Sequence, residues 1–196
     1  LQGRSQSWLG LVDYTTADAT SPHVKQAIKD ADAAIALCEV LMAKAPNNPQ
    51  YRVERIFAQL CRVNSLPTGR ATDLANEKLY LVAVDSLEAI VKEYPIPKYR
   101  ELLGYVRTHL GELYWFRRPP ALIEAQRQFA AVLKERERLH AQFKGLARHQ
   151  FALANTLWRV GSLMKDRDRA AAIELAQRGL DLMKPLLERF PGRHDY

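Results

Sequence analysis

A joint that combines proline with an aromatic residue recurs along this chain at a nearly fixed distance. It reads KAPNNPQYRVER, EYPIPKYRELLG and ERFPGRHDY in chain order. Tyr51 and Tyr99 lie 48 residues apart, and Pro95 and Pro191 lie twice that distance apart. Because proline ends one helix and suits the first turn of the next, the joint marks boundaries between helices. A period of this length predicts a helical repeat array.

Between the joints, apolar residues recur every three or four positions, as they do on one face of a helix. This spacing predicts about seven helices. One ends before Pro46, one is stopped by the segment SLPTGR, and five cover about 71–94, 98–116, 121–143, 146–165 and 169–190. No convincing strand remains, so the predicted class is all-α. Since a pair of helices cannot bury its apolar face alone, we expect stacked antiparallel pairs that form an α-solenoid.

The apolar stripes predict which side of each helix packs inward. The stripe of the third helix contains Leu74, Leu81, Val84, Leu87 and Val91. The stripe of the last helix contains Ile173, Ala176, Leu180, Met183, Leu187 and Phe190. Pro185 lies inside that last helix and is expected to kink it. The large side chains of Trp115, Phe116 and Trp158 are expected to pack in the core or between repeats.

Composition divides the chain into two segments. Residues 1–22 are rich in glycine, serine and threonine without a sustained period, which predicts a linker or a segment that docks onto the body. Residues 23–196 form the predicted repeat domain, with a period of about 48 residues. The chain starts with Leu1 and not with methionine, and Tyr196 matches the place of Tyr51 in a further repeat. We therefore expect it to be a piece of a longer protein.

Several functional classes find no support in the sequence. The longest apolar run, LYLVAV, is far shorter than the ~20 residues of a membrane span. Cys38 and Cys61 lie among apolar residues at helical spacing, which predicts buried free cysteines and a reducing, cytoplasmic location. The chain has no glycine-rich phosphate loop, no Cys-x-x-Cys, and no ligand spacing among its five histidines. We therefore expect no catalytic residue, no metal and no cofactor.

The net charge of +7 belongs entirely to the second half of the chain. Residues 99–196 contain 18 basic and 11 acidic residues, and 14 of the basic residues are arginine. One interpretation is a solvated helical surface with charge pairs along each helix. The other is an anionic partner, either an acidic protein or a nucleic acid, because arginine suits carboxylates and phosphates.

The second half resembles a known family of repeats. Leu110, Gly111 and Tyr114, followed by Ala125 in the next helix, are similar to the small-and-aromatic pattern of tetratricopeptide repeats. The layout EYPxPxYR…LG…EA resembles long tetratricopeptide-like arrays of bacterial signalling proteins, often found beside a protein-kinase domain. The resemblance covers about residues 23–196. It implies a right-handed solenoid and a scaffold that binds proteins, without catalytic residues.

In such arrays the first helix of each pair lines the concave face, which gives a predicted contact set. Its members are Arg55, Gln59 and Arg62 in the second helix, Tyr105, Thr108, His109 and Glu112 in the fourth, and Asn155, Arg159 and Ser162 in the sixth. Asn155 and Arg159 are four residues apart and share one face, so together they could hold a peptide carboxylate. The alternative is that all of these side chains simply face solvent.

Overall fold

A computed structural model describes residues 22–64, 70–117 and 119–191. These residues form seven α-helices and no strand, which confirms the all-α class. The helices are α1 (Pro22–Lys44), α2 (Pro49–Asn64), α3 (Arg70–Glu93), α4 (Pro97–Phe116), α5 (Leu122–Gln142), α6 (Ala147–Met164) and α7 (Arg169–Arg189). The predicted linker over residues 1–22 lies outside the described residues apart from Pro22, which opens α1.

Local chemistry explains where these helices begin and end. Pro97 stands at the start of α4, where the missing N–H of proline costs nothing. The carboxylate of Asp168 accepts a hydrogen bond from the backbone N–H of Ala171 at 3.0 Å and so caps α7. Gly145 adopts a φ of +86° in the turn between α5 and α6, a conformation that favours glycine. Helix α7 continues through Pro185 to Arg189.

The chain divides into two compact units, Leu1–Tyr94 and Pro95–Tyr196. In the first unit α1 packs on α2 and α2 on α3; in the second, α4, α5, α6 and α7 pack each on the next. Because short connections join the helices within each unit, consecutive helices of one unit run antiparallel. This packing of adjacent helix pairs is that of a helical array.

Each unit has its own apolar core. The first unit fully buries Leu60, Leu87 and Ile90, and the second fully buries Leu102, Val106, Leu110, Phe129, Val132, Leu157 and Leu186. Burying each side chain of this size contributes roughly 1.5–3 kcal/mol relative to leaving it exposed. The cores therefore hold the helices together, and the polar faces of the helices are the surfaces that could contact a partner.

Burial repeats along the second unit at a regular interval. On α4 and α6 the buried pairs 50 residues apart are Tyr99 with His149, Gly104 with Ala154, Val106 with Thr156, Leu110 with Val160, and Gly111 with Gly161. On α5 and α7 the buried pairs 47 residues apart are Ala125 with Ala172, Val132 with Gly179, and Leu139 with Leu186. The α4–α5 pair and the α6–α7 pair are thus two copies of one helix-pair repeat.

The prediction for the inward face of α7 is wrong. Leu180 is 63% exposed, and Ile173 and Leu187 are exposed as well. The buried residues of α7 are Ala172, Gly179 and Leu186. Both sets repeat every seven residues. Helix α6 packs against the set with the smaller side chains, because the backbone of α6 can approach α7 closely there.

Two smaller predictions about the core also need correction. On α3, Leu74 and Leu81 are exposed, and the buried residues are Tyr80, Ala83, Val84, Leu87 and Ile90. Cys38 is buried as expected, but Cys61 is only half-buried. Partial burial raises the pKa of the Cys61 thiol, because it disfavours the charged thiolate.

Candidate functional site

Polar residues of α4 and α6 that lie almost one repeat apart contact each other. Glu101 on α4 lies 3.3 Å from Nη2 of Arg148 and 3.4 Å from Nε2 of His149 on α6. At one end of the contact, an acidic residue of α4 therefore lies between an arginine and a histidine of α6. The same pattern occurs at the other end, where Glu112 of α4 contacts Arg159 of α6.

Five of the predicted contact residues meet at this second end, and we call them the α4–α6 polar cluster: Tyr105, His109, Glu112, Asn155 and Arg159. Oε1 of Glu112 accepts hydrogen bonds from Nε and Nη2 of Arg159 at 2.8 and 2.6 Å. Oε2 of Glu112 lies 3.2 Å from Nδ1 of His109. The His109 ring meets the Tyr105 ring edge-on, with 4.4 Å between centroids, and Oδ1 of Asn155 accepts a hydrogen bond from Arg159.

The electrostatics of the cluster favour the ionised form of Glu112. Burial alone raises the pKa of this carboxyl group, but the hydrogen bond with His109 and the charge of Arg159 outweigh it. The pKa of Glu112 is therefore held below its usual value. A carboxylate that stays charged keeps the guanidinium of Arg159 in place.

Arg136 of α5 is a buried cation that contacts both α4 and α6. Its Nη1 donates to the carbonyl of Ala152 at 2.9 Å and to Oγ1 of Thr156 at 2.5 Å, and its Nη2 donates to Oγ1 of Thr108 at 3.3 Å. Burial, followed by repulsion from Arg159, lowers the pKa of Arg136 to about 10. The guanidinium therefore stays charged at neutral pH and joins α4 to α6.

Thr108 does not belong to the contact surface, contrary to the prediction. Its side chain is buried and donates to the carbonyl of Gly104 at 2.8 Å. Thr156 makes the same bond to the carbonyl of Ala152, 48 residues further along the chain. The hydroxyl of each threonine is thus used inside the contact between the two helix pairs.

The remaining predicted residues are not part of the cluster. Arg55, Gln59 and Arg62 lie on α2 in the first unit, where Arg62 pairs with Asp32 at 2.6 Å and Arg55 lies 3.9 Å from Glu39. Gln59 is half-buried. Ser162 is half-buried near the end of α6.

The structure also changes how Asn155 and Arg159 could bind a peptide. They share one face of α6 as expected, but Arg159 already holds the carboxylate of Glu112. A carboxylate of a partner that uses the same guanidinium has to take the place of Glu112.

Many arginines of the second half contact other helices of the same unit. Arg100 lies 3.7 Å from Glu135, and Arg178 lies 2.9 Å from Glu137. Together with Arg148 and Arg159, these pairs join one helix to another. These four arginines are therefore used in contacts between helices, which the charge count alone could not show.

An apolar groove that the sequence did not predict lies between α6 and α7. It has a volume of about 360 Å³ and is lined by Phe151, Ala154, Asn155, Trp158, Ala176, Gly179, Leu180 and Met183. Trp158 is exposed here, as is Phe116 at the end of α4, although both were expected to be packed. Aligning the two helix pairs could have found the groove, because Trp158 stands where the first pair has Thr108.

Within the described ranges, no three histidine, cysteine, aspartate or glutamate residues could hold a metal ion. In the same part of the chain, no helix is long and apolar enough to cross a membrane. Comparisons with models of protein families, with curated proteins and with solved structures each find no match.

Proposed function

We propose that this chain is a non-catalytic interaction or scaffold module that binds a peptide or partner domain through the face of α4 and α6. The proposal includes a right-handed solenoid and a place in a larger cytoplasmic signalling protein, as the tetratricopeptide resemblance implies. The observation that carries it is the α4–α6 polar cluster. Five side chains predicted to contact a partner meet in one network drawn from two successive helix pairs.

The geometry of the cluster favours an acidic partner. The guanidinium of Arg159 is already oriented by Glu112 and Asn155, so a partner need not order it. An incoming carboxylate exchanges with Glu112 and accepts the same two hydrogen bonds. Glu112 then competes with the carboxylate of the partner for Arg159. Only an acidic group that is well placed on the partner can displace it.

Selection of peptides from a random display library on the full chain tests this proposal. For a selected acidic peptide, we expect Arg159→Ala to weaken binding about tenfold or more, which corresponds to about 1.4 kcal/mol. We expect Glu112→Gln to strengthen binding, because it removes the competing carboxylate. Arg127→Ala is the matched control, since Arg127 is an exposed arginine on α5 outside the cluster. Binding that ignores Arg159, or that weakens equally in the control, contradicts the proposal.

Nucleic-acid or other polyanion binding through the second half stays an alternative prediction. The pairs of Arg100, Arg148, Arg159 and Arg178 with glutamates weaken its support, because these guanidinium groups already have carboxylate partners. Titration of a labelled oligonucleotide at two salt concentrations separates the two functions. An affinity that falls steeply with salt supports polyanion binding.

A further inference from the structure

The carboxylate of Glu112 contacts two different partners, one through each oxygen. Oε1 accepts hydrogen bonds from Nε and Nη2 of Arg159, and Oε2 lies 3.2 Å from Nδ1 of His109. The side chains of His109 and Glu112 are 30% and 23% exposed, so both are largely withdrawn from water and yet can exchange protons with it. Glu112 and His109 therefore form a coupled acid–base pair beside the guanidinium that an acidic partner would use.

The groups that surround this pair come from three helices. On α4 itself, the ring of Tyr105 meets the ring of His109 edge-on. On α6, Arg159 contacts Glu112 directly. On α5, the charge of Arg136 also attracts Glu112, but hydrogen bonds to α4 and α6 fix its guanidinium in place. Of these two cations, Arg159 is the one whose contact with Glu112 a partner can take over.

An incoming carboxylate changes the balance of charge at the pair. Burial of Glu112 favours its neutral form, and the hydrogen bond with His109 and the charge of Arg159 keep it ionised. When the carboxylate of a partner takes the two hydrogen bonds from Arg159, Glu112 loses one of these supports and gains a negative neighbour. Like charges this close disfavour the ionised form of both groups. A proton held between Oε2 of Glu112 and Nδ1 of His109 relieves this repulsion.

We propose that binding of an acidic partner at Arg159 is coupled to the uptake of a proton by the Glu112–His109 pair, so that the partner binds more tightly as the pH falls. The inference rests on the proposed function, because it describes how the same site is regulated. Its direction follows from linkage. The bound state holds the proton more tightly than the free state, so the affinity rises with falling pH and levels off once the free pair is protonated as well.

The size of the effect has an upper limit. Uptake of a single proton changes the dissociation constant by at most about tenfold per pH unit. Histidine side chains change their charge between about pH 5 and pH 8, where most carboxylates of a partner are still ionised. The coupling is therefore visible in a range in which the acidic partner itself changes little.

Calorimetric titration of the full chain with an acidic peptide from the display selection tests the coupling. The peptide is chosen without histidine, so that its own charge stays nearly constant. We expect its dissociation constant to fall at least about fivefold from about pH 8 to about pH 6. We also expect proton uptake on binding, which is measured as the dependence of the binding heat on the ionisation enthalpy of the buffer. Circular dichroism at each pH shows whether the helices are kept.

A variant of the pair separates proton uptake from binding itself. We expect His109→Gln to retain binding that depends on Arg159 and to lose most of the change between these pH values, because a carboxyl group alone takes up its proton at lower pH. His140→Gln is the matched control. It removes a half-buried imidazole of α5, in the same unit but outside the polar cluster, and should keep the wild-type pH dependence.

The outcomes distinguish this inference from the proposed function. A peptide that Arg159→Ala releases, but whose affinity is equal at both pH values, overturns the proton coupling and leaves the proposed function standing. The same holds if His109→Gln keeps the full pH dependence, or if His140→Gln removes as much of it. Binding that does not depend on Arg159, or a selection that yields no acidic peptide, contradicts both proposals.

Discussion

At the scale of single residues, burial distinguishes the charge pairs that stabilise the fold from those that contribute little to it. The side chains of Glu112 and Arg159 are 23% and 18% exposed, whereas those of Glu137 and Arg178 are 44% and 48% exposed. Exposed ion pairs contribute little, because water screens them and ordering their side chains costs entropy. Removing one member of a more buried pair leaves the other charge poorly solvated. The two pairs therefore make a matched comparison.

We expect Glu112→Gln to lower the free energy of unfolding by about 1–3 kcal/mol, because it leaves Arg159 without its carboxylate. Glu137→Gln, which disrupts the exposed pair with Arg178, should cost less than about 1 kcal/mol. Urea denaturation at neutral pH measures both. Equal losses for the two variants would show that the α4–α6 pair is no stronger than a surface pair.

His149 makes stability depend on pH. Burial, reinforced by the charges of Arg148 and His140, lowers the pKa of its imidazole, and Glu101 only partly opposes this. The unfolded chain therefore takes up a proton near the usual pKa of about 6.5, while the folded chain resists it. The contribution of the neutral ring is complete above that pH and is lost as the pH falls towards the lower folded pKa.

We expect the free energy of unfolding to fall with decreasing pH below about 6.5, with a contribution from His149 of up to about 1.4 kcal/mol per pH unit. His149→Gln should remove this part of the slope, because its side chain does not titrate. His23→Gln, at an exposed position near the start of α1, is the control. Urea denaturation at several pH values gives the slopes, and identical slopes for wild type and His149→Gln would contradict the assignment.

Between elements, glycine sets how closely two helices approach. A Cβ at Gly111 would lie 2.9 Å from Cε1 of Phe129, whose ring is fully buried and has no room to move. A Cβ at Gly104, two turns earlier on the same helix, would meet nothing closer than Nε of Arg136 at 3.9 Å. The first glycine is required by the contact between α4 and α5, and the second is not.

Alanine at these two positions should act in opposite directions. Gly111→Ala is expected to destabilise by about 1–3 kcal/mol, because it forces α4 away from Phe129. Gly104→Ala is expected to stabilise by about 0.5–1 kcal/mol, because alanine restricts the unfolded chain and favours the helix. Thermal unfolding of the two variants decides the signs, and destabilisation of similar size at both sites would refute the packing argument.

The whole chain comprises two units, each with its own core. The second unit, Pro95–Tyr196, contains four helices and buries its own set of large apolar side chains, including Phe129 and Leu110. About 100 residues with a contiguous core are enough for an independently folding domain. The joint EYPIPKYR, which contains the boundary at Tyr94, is therefore expected to be a site where the chain can be divided.

We expect a fragment of residues 95–196 to fold alone, with a helical spectrum and one cooperative unfolding transition. The measurement is circular dichroism at 222 nm during urea denaturation, with the full chain as the reference. A fragment that shows little helix, or that loses it gradually without a transition, would show that the second unit depends on the first.

The amino-acid sequence by itself determined where the helices are. Proline without an N–H, the glycine in a left-handed turn and the three-to-four spacing of apolar residues act within a few residues of the chain. Their effect on the backbone is therefore visible in the sequence. The same local signals predicted an all-α protein with helix boundaries close to those observed. Five of the ten predicted contact residues also came together, because positions one repeat apart occupy equivalent places on α4 and α6.

Only the tertiary structure decided which side of a helix is covered. The sets that contain Gly179 and Leu180 both repeat every seven residues on α7, and the larger, more apolar one is the exposed set. Helix α6 packs closely against Gly179, since the carbonyl oxygen of Ala154 lies only 3.3 Å from where a Cβ would stand. Such contacts join residues far apart in the chain, and the free energy of close packing, which no local pattern encodes, selects between two stripes of equal periodicity.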